Sequence, residues 1–186
     1  MKATGIVRRI DDLGRVVIPK EIRRTMRIRE GDPLEIYTDR EGEVIFKKYS
    51  PIGELTAFAA QYAETLHKTC GLDVAICDRD AVIACSGISK REYGDKALSE
   101  GLETLMEGRS FYVPKEGEAM PIIRDGGSHT VGCAMPIVSE GDVVGCVVSA
   151  RSEESSKDQR GDMPAFDVEA KLIQAAAHFL GKQLES

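Results

Sequence analysis

The 186 residues are 42% hydrophobic and 30% charged, with 25 Lys and Arg against 31 Asp and Glu. That length and balance suffice for a buried core without disulfide or metal staples, in one ordinary domain or two small ones, and exclude disordered and collagen-like classes. There is no apolar run of about eighteen residues, no secretory signal pattern at the start, and five cysteines without a Cys-x-x-Cys pair; the expectation is a cytoplasmic protein with reduced thiols, no metal and no membrane partner.

The net charge of -6 hides two electrostatic halves: residues 1–50 hold 12 basic and 9 acidic side chains, whereas residues 51–186 hold 13 and 22. Over residues 2–29 nine basic residues face only Asp11, Asp12 and Glu21. Seven of the nine are arginines, whose planar fork suits phosphates and guanine edges better than an ammonium does. An acidic whole therefore leaves room for a polyanion partner at one end. A solvated basic face is the other reading of the same composition.

In chain order, Ala3–Ile10 alternates around Ile6 and Val7, Asp11-Asp12-Leu13-Gly14 carries turn chemistry, and Arg15-Val16-Val17-Ile18 is a short apolar run. Together they predict strand, turn, strand. Pro19 stands at a favourable first helical position, Lys20–Arg27 is rich in helix formers, and Gly31 and Pro33 end the helix. At about 100° per residue, Lys20, Arg23, Arg24 and Arg27 share one arc while Ile18, Ile22 and Met26 lie opposite, giving one basic stripe and one buried stripe. Pro33–Tyr37 and Glu43–Lys47 flank Asp39-Arg40-Glu41-Gly42 as a hairpin, and Lys48–Gly53 reads as a linker. The expected division is a domain over residues 1–50, a linker over 51–54 and a second domain over 55–186. Fifty strand-rich residues bury little surface alone, so a second chain is expected to complete their core. A two-fold dimer would present the basic stripe twice.

From Glu54 the period becomes helical, with Leu55, Phe58, Tyr62 and Leu66 on one stripe and Gly71 as the cap. Asp73–Cys77 and Ala81–Cys85 bracket Asp78-Arg79-Asp80 as a largely buried hairpin. Lys96–Met106 is helix-like, Phe111–Val113 a short strand, and Pro114–His129 a long loop of the kind that serves as lid or contact surface. Thr130–Val138 and Asp142–Ala150 form a further hairpin, and Arg151–Pro164 is polar and expected to be mobile. Asp167–Leu184 is an amphipathic helix with Val168, Leu172, Ala175, Ala176, Phe179 and Leu180 on its apolar side. The cysteines are expected as small buried hydrophobes, and His67, His129 and His178 lack metal-ligand spacing.

The run from Ile6 to Arg24, with Asp11-Asp12-Leu13-Gly14-Arg15-Val16-Val17-Ile18-Pro19 at its centre, and its continuation Gly31-Asp32-Pro33-Leu34-Glu35-Ile36-Tyr37 resemble the DNA-binding domain of the AbrB family of bacterial transition-state regulators. The resemblance implies that residues 1–50 form a swapped-hairpin β domain, an intertwined dimer in which strands of two chains make one small barrel-like body. It implies a regulator, activating or repressing, that binds double-stranded DNA sequence-specifically. The family's DNA-contacting arginines map onto Arg8, Arg15, Arg23 and Arg24, and the basic stripe adds Arg9 and Lys20. The order of elements after residue 55, with Val144-Gly145-Cys146-Val147-Val148-Ser149-Ala150, is similar to GAF domains, an antiparallel sheet flanked by helices, so the whole is expected to be α+β. The Asn-Lys-x-x-x-Phe signature of cyclic-nucleotide GAF domains and the Cys-His of bilin-binding ones are missing. The resemblance further implies a tetramer through helices 54–69 and 167–184, control of sporulation genes, and a place at the nucleoid of the forespore. The GAF-like part either binds a small effector of unknown identity, with 114–129 as lid, or serves assembly alone; no other cofactor is expected.

Two other classes fit parts of the chain. The same small N-terminal fold serves as an antitoxin module that grips a toxin enzyme, usually through a flexible tail, whereas residues 54–184 look folded. Some GAF-fold proteins reduce methionine sulfoxide with cysteines; here Arg79 lies near Cys77, but the sequence shows no environment that would lower a thiol pKa.

Overall fold

The computed structural model describes residues 5–115, 117–152 and 164–185, and the chain folds as two compact units, Met1–Tyr49 and Ser50–Ser186. In the first unit a short helix α1 (Lys20–Thr25) precedes an antiparallel hairpin of β1 (Leu34–Thr38) and β2 (Val44–Lys48), with Ile36 opposite Phe46. The hairpin turn is held by Asp39, whose Oδ1 accepts the backbone N–H groups of Glu41 and Glu43. The expected turn at 11–14 is present: the Gly14 N–H donates to the Asp11 carbonyl at 3.0 Å and the Asp11 N–H to that of Arg15 at 3.0 Å. Among the described residues, however, the segments flanking the turn form no ladder. Val7, Ile10, Leu13 and Val17 are each at least 69% exposed, and Met26, expected on a buried stripe, is 57% exposed. A hairpin this short has no apolar layer inside one unit to close on.

The second unit opens with α2 (Pro51–Glu54), so the segment expected as a linker is helical. Ser50 caps it by accepting the Gly53 N–H, Pro51 fits its first position, and Ile52 is fully buried. Helix α3 (Thr56–Cys70) ends on Gly71 at φ 67°, the left-handed cap the sequence announced. Strands β3 (Val74–Asp78) and β4 (Val82–Ser86), helices α4 (Lys90–Tyr93) and α5 (Glu100–Gly108), strands β5 (Pro121–Ile123), β6 (Gly126–Ser139) and β7 (Asp142–Ser152), and helix α6 (Phe166–Leu184) complete it. The five strands form one antiparallel sheet in the order β4-β3-β7-β6-β5, flanked by helices in the α+β arrangement expected.

Period-2 alternation along the strands feeds two cores, one on each face of the sheet. Val74, Ile76, Cys133, Ile137 and Val147 pack with Ala59, Ala63 and Leu66 of α3 and Ile173, Ala176, Ala177 and Leu180 of α6. Ala75, Cys77, Val131, Cys146 and Val148 pack on the other face with Tyr93, Leu98, Leu102, Leu105, Met106 and Ile122. Because both faces are covered, the central strands are apolar throughout rather than alternating with polar residues.

Three expectations are corrected here. The helix expected over 96–106 starts at Glu100, because Ser99 caps it by accepting the Leu102 N–H at 3.3 Å, and Asp95–Ser99 instead follows the sheet. This segment bonds both sheet edges: Asp95 N–H and Lys96 C=O pair with Val82 of β4, while Ser99 N–H donates to Ile122 and Arg124 N–H to Ala97 on the β5 side. The loop expected over 114–129 yields to strand from Pro121 onward apart from a tight turn, since Ile122 and Ile123 are buried and their pull outweighs the glycine signals around them. Finally, α6 is rotated from its expected face. Ile173, Ala176, Ala177, Leu180 and Gly181 are buried, whereas Val168 and Phe179 are 48% and 41% exposed. The helix is apolar on two sides, and the close approach of Gly181 to the Val138 carbonyl selects one of them. Most of the polar stretch 151–164 lies outside the described residues.

Candidate nucleic-acid interface

The predicted cationic residues stand on three local structures of the first unit. Arg8 and Arg9 lie on the extended stretch before the 11–14 turn and are exposed. Arg15 leaves that turn with a side chain 69% exposed, held through its Nε to Asp11 Oδ2 at 2.8 Å. The same carboxylate accepts the backbone N–H groups of Leu13 at 3.0 Å and Arg15 at 2.8 Å through Oδ1. These bonds, the Arg15 amide foremost, hold the Asp11 carboxyl below its ordinary range, so it is ionised at neutral pH.

Lys20, Arg23 and Arg24 are all exposed on α1. Pro19, buried and just outside the helix, lends its carbonyl to the Arg23 N–H at 3.0 Å. The helix ends two residues short of the expected Lys20–Arg27 stretch, and Arg27 falls off the basic stripe. At φ 52° it is the left-handed residue of a closing motif in which Ile28 N–H donates to Arg23 at 2.7 Å and Arg27 N–H to Arg24 at 3.3 Å. The loop beyond is tied to the hairpin by Lys48, whose Nζ donates to the Arg27 carbonyl at 2.9 Å and stands 3.6 Å from the buried Asp32 carboxylate. Among the described residues no ion pair engages Arg8, Arg9, Lys20, Arg23 or Arg24. Of the six predicted cations, five therefore stand without an ion pair and one, Arg15, is braced by a carboxylate. Asp11 and Lys48 were not singled out from sequence; an Asp four residues before an Arg across a Gly turn was the available signal for the first.

In the second unit the residues open to chemistry are quiet. Cys77, Cys133 and Cys146 are buried, and Cys77 and Cys146 stand opposite each other on β3 and β7. A hydrogen bond with Cys146 that favours the neutral thiol, and after it burial, push Cys77 well up, and burial raises Cys133 to about 11. Such thiols are poor nucleophiles at neutral pH. Glu169, 1% exposed, accepts from Ser149 Oγ and pairs with Arg151 at 2.6 Å, in a niche opened by the bulge at Gly132. His67 pairs with Asp73 at 3.2 Å, and His129 donates its backbone N–H to the buried Tyr93 hydroxyl at 2.8 Å. Among the described residues no three His, Cys, Asp or Glu side chains are grouped to hold a metal ion, and no helix is long and apolar enough to cross a membrane.

Comparison with known proteins gives two family matches. Residues 54–185 match the family described as stage V sporulation protein T C-terminal, transcription factor, and residues 7–53 match antidote-toxin recognition MazE, bacterial antitoxin. The whole chain is 54% identical to stage V sporulation protein T of Bacillus subtilis (strain 168), covering 99% of that protein. Its N-terminal 27% is 65% identical to 52% of the transition state regulatory protein AbrB of the same organism. Among solved structures, the nlh2 GAF domain of A. aeolicus is 14% identical over 71% of this chain and 91% of its own, with a TM-score of 0.48.

Proposed function

The chain belongs to the family of stage V sporulation protein T, a family of transcription factors, and from that premise we propose that it regulates sporulation genes by holding duplex DNA on the cationic face of its first unit. The observation that carries the reading is the set of exposed side chains Arg8, Arg9, Lys20, Arg23 and Arg24, none in an ion pair among the described residues, with Arg15 braced by Asp11 in the same unit. Phosphate contacts from such a set supply affinity and a strong dependence on salt, and groove contacts supply sequence preference.

The reading includes two levels of assembly. Val7, Ile10, Val17, Met26, Ile36, Val44 and Phe46 leave the first unit with more exposed apolar surface than a lone soluble body keeps, which supports a dimer closed by a second copy. In the second unit Phe58, Tyr62 and Phe179 form one aromatic group with centroids 5.4 to 6.4 Å apart, and Phe179 and Val168 are open on α6. That face supports pairing of α3 and α6 between dimers to give a tetramer. The opposite face of the sheet is filled by the fully buried Tyr93, Leu98, Leu102 and Ile122, which favours an assembly role for this unit over effector binding. The raised thiols favour a protein without thiol catalysis.

Fluorescence anisotropy of labelled duplex at several salt concentrations tests the reading. The Arg23→Ala/Arg24→Ala variant should bind more weakly and flatten the salt slope by about 0.9 for each phosphate it no longer neutralises, with its oligomeric state unchanged. Equal affinity in the variant rejects the arginine face. Failure of the parent protein to bind any duplex at low salt would turn attention to the toxin-recognition match over residues 7–53.

A further inference from the structure

We propose that Asp11 is a positioning residue that commits Arg15 to reading a guanine edge, while Arg8, Arg9, Lys20, Arg23 and Arg24 take the phosphates. The inference rests on the DNA-binding reading above and divides its arginines into two kinds.

One carboxylate fixes Arg15 at both ends. Oδ1 of Asp11 holds its backbone N–H at 2.8 Å, and Oδ2 holds its Nε at 2.8 Å. A guanidinium bound through Nε has given up much of its rotamer freedom before DNA arrives, and its two Nη groups are left to engage a partner side by side. That remaining edge matches the paired acceptors O6 and N7 of guanine in the major groove. Arg15 is exposed enough to make the approach, its side chain 69% open to solvent.

Charge separates this arginine from the others. Asp11 neutralises Arg15 at contact distance, and the exposed Asp12 next to it leaves the 11–15 turn with a net charge of minus one. A phosphate oxygen placed on Arg15 would sit beside the Asp11 carboxylate in a turn of net negative charge, whereas a guanine brings two acceptor atoms and no net charge. Helix α1 has the opposite balance, with Lys20, Arg23 and Arg24 against Glu21 alone. Direct base readout is thus assigned to the braced arginine and backbone positioning to the unbraced ones.

The test uses full-length protein and two probes: the duplex that the parent protein selects most strongly from a randomised pool, and sheared mixed-sequence DNA. Asp11→Asn keeps an Oδ1 acceptor for the turn amides and removes the charge; Arg15→Lys keeps the charge and removes the fork. Each should lose on the order of tenfold in affinity for the selected duplex, the value of one bidentate base contact. Each should bind mixed-sequence DNA within about twofold of the parent, because phosphate contacts carry no sequence information. The double variant should lose no more than Arg15→Lys alone, as expected if Asp11 acts only through Arg15. Equal losses on both probes would overturn the proposal, as would tighter binding of both by Asp11→Asn, which would make Arg15 a restrained phosphate contact. Should Asp11→Asn open the turn, seen as fast amide exchange at Leu13 and Arg15, the Arg15→Lys result decides alone. A parent protein that binds neither probe removes the DNA-binding reading itself, an outcome distinct from equal losses.

Discussion

Arg27 holds a conformation that glycine adopts more cheaply. Its φ of 52° closes the end of α1, and the bonds from Ile28 and Arg27 back to Arg23 and Arg24 depend on it. A side chain in the left-handed region costs about 1 kcal/mol or more, partly offset on substitution by the greater freedom of glycine in the unfolded chain. Arg27→Gly should therefore stabilise this helix end by up to about 1 kcal/mol, read as slower hydrogen exchange of the Ile28 amide; faster exchange would mean the Arg27 side chain contributes more than its backbone costs. At this scale the cationic excess was legible in composition and the stripe of Lys20, Arg23 and Arg24 in spacing, whereas Arg8 and Arg15 were singled out through the family resemblance. The shortened helix was not, because nothing in Met26-Arg27-Ile28 announces a left-handed residue where glycine is the usual signal. Asp11 was legible as a turn former only. Its second role depends on where the Arg15 side chain folds back, which no local pattern fixes.

Elements were legible where the period was strong and the flanking chemistry agreed. The hairpin of β1 and β2, the long helices α3 and α6 and the pairing of β6 with β7 fall where alternation, turn residues and caps coincide. The rotation of α6 shows the limit: a helix apolar on two sides leaves its buried face to be chosen by tertiary packing. That choice is made at Gly181, where an added Cβ would overlap the Val138 carbonyl oxygen of β6, a backbone atom with nowhere to go. Gly181→Ala should destabilise the second unit by roughly 2 kcal/mol or more, through displacement of the helix from the sheet. Urea denaturation followed by tyrosine fluorescence would measure it, and an unchanged midpoint would show that α6 sits farther from β6 than described. The segment 121–129 failed as a sequence reading for a related reason. Its glycines and charges suggest a loop, but burying Ile122 and Ile123 outweighs them, and such a gain is visible only once the sheet exists.

For the whole molecule, the proposed function depends on how copies combine. Phe179→Glu places a carboxylate among Phe58, Tyr62 and the open side of α6 in the second unit, and leaves every residue of the cationic set unchanged. Sedimentation should then show dimers in place of tetramers, and affinity for a duplex carrying two sites should fall by about a hundredfold as the second contact ceases to be intramolecular. A mass unchanged by the substitution would place assembly elsewhere. The proposed association by helix faces also agrees with the way Asp95–Ser99 is stitched to both margins of the five-stranded sheet. Strands as apolar as β3 and β7 are the usual seeds of fibrous growth, yet here they are innermost, and backbone groups on β4 and β5 where a foreign strand would dock are already engaged by the chain's own. The protein can therefore accumulate in a cell without one sheet becoming the template for the next.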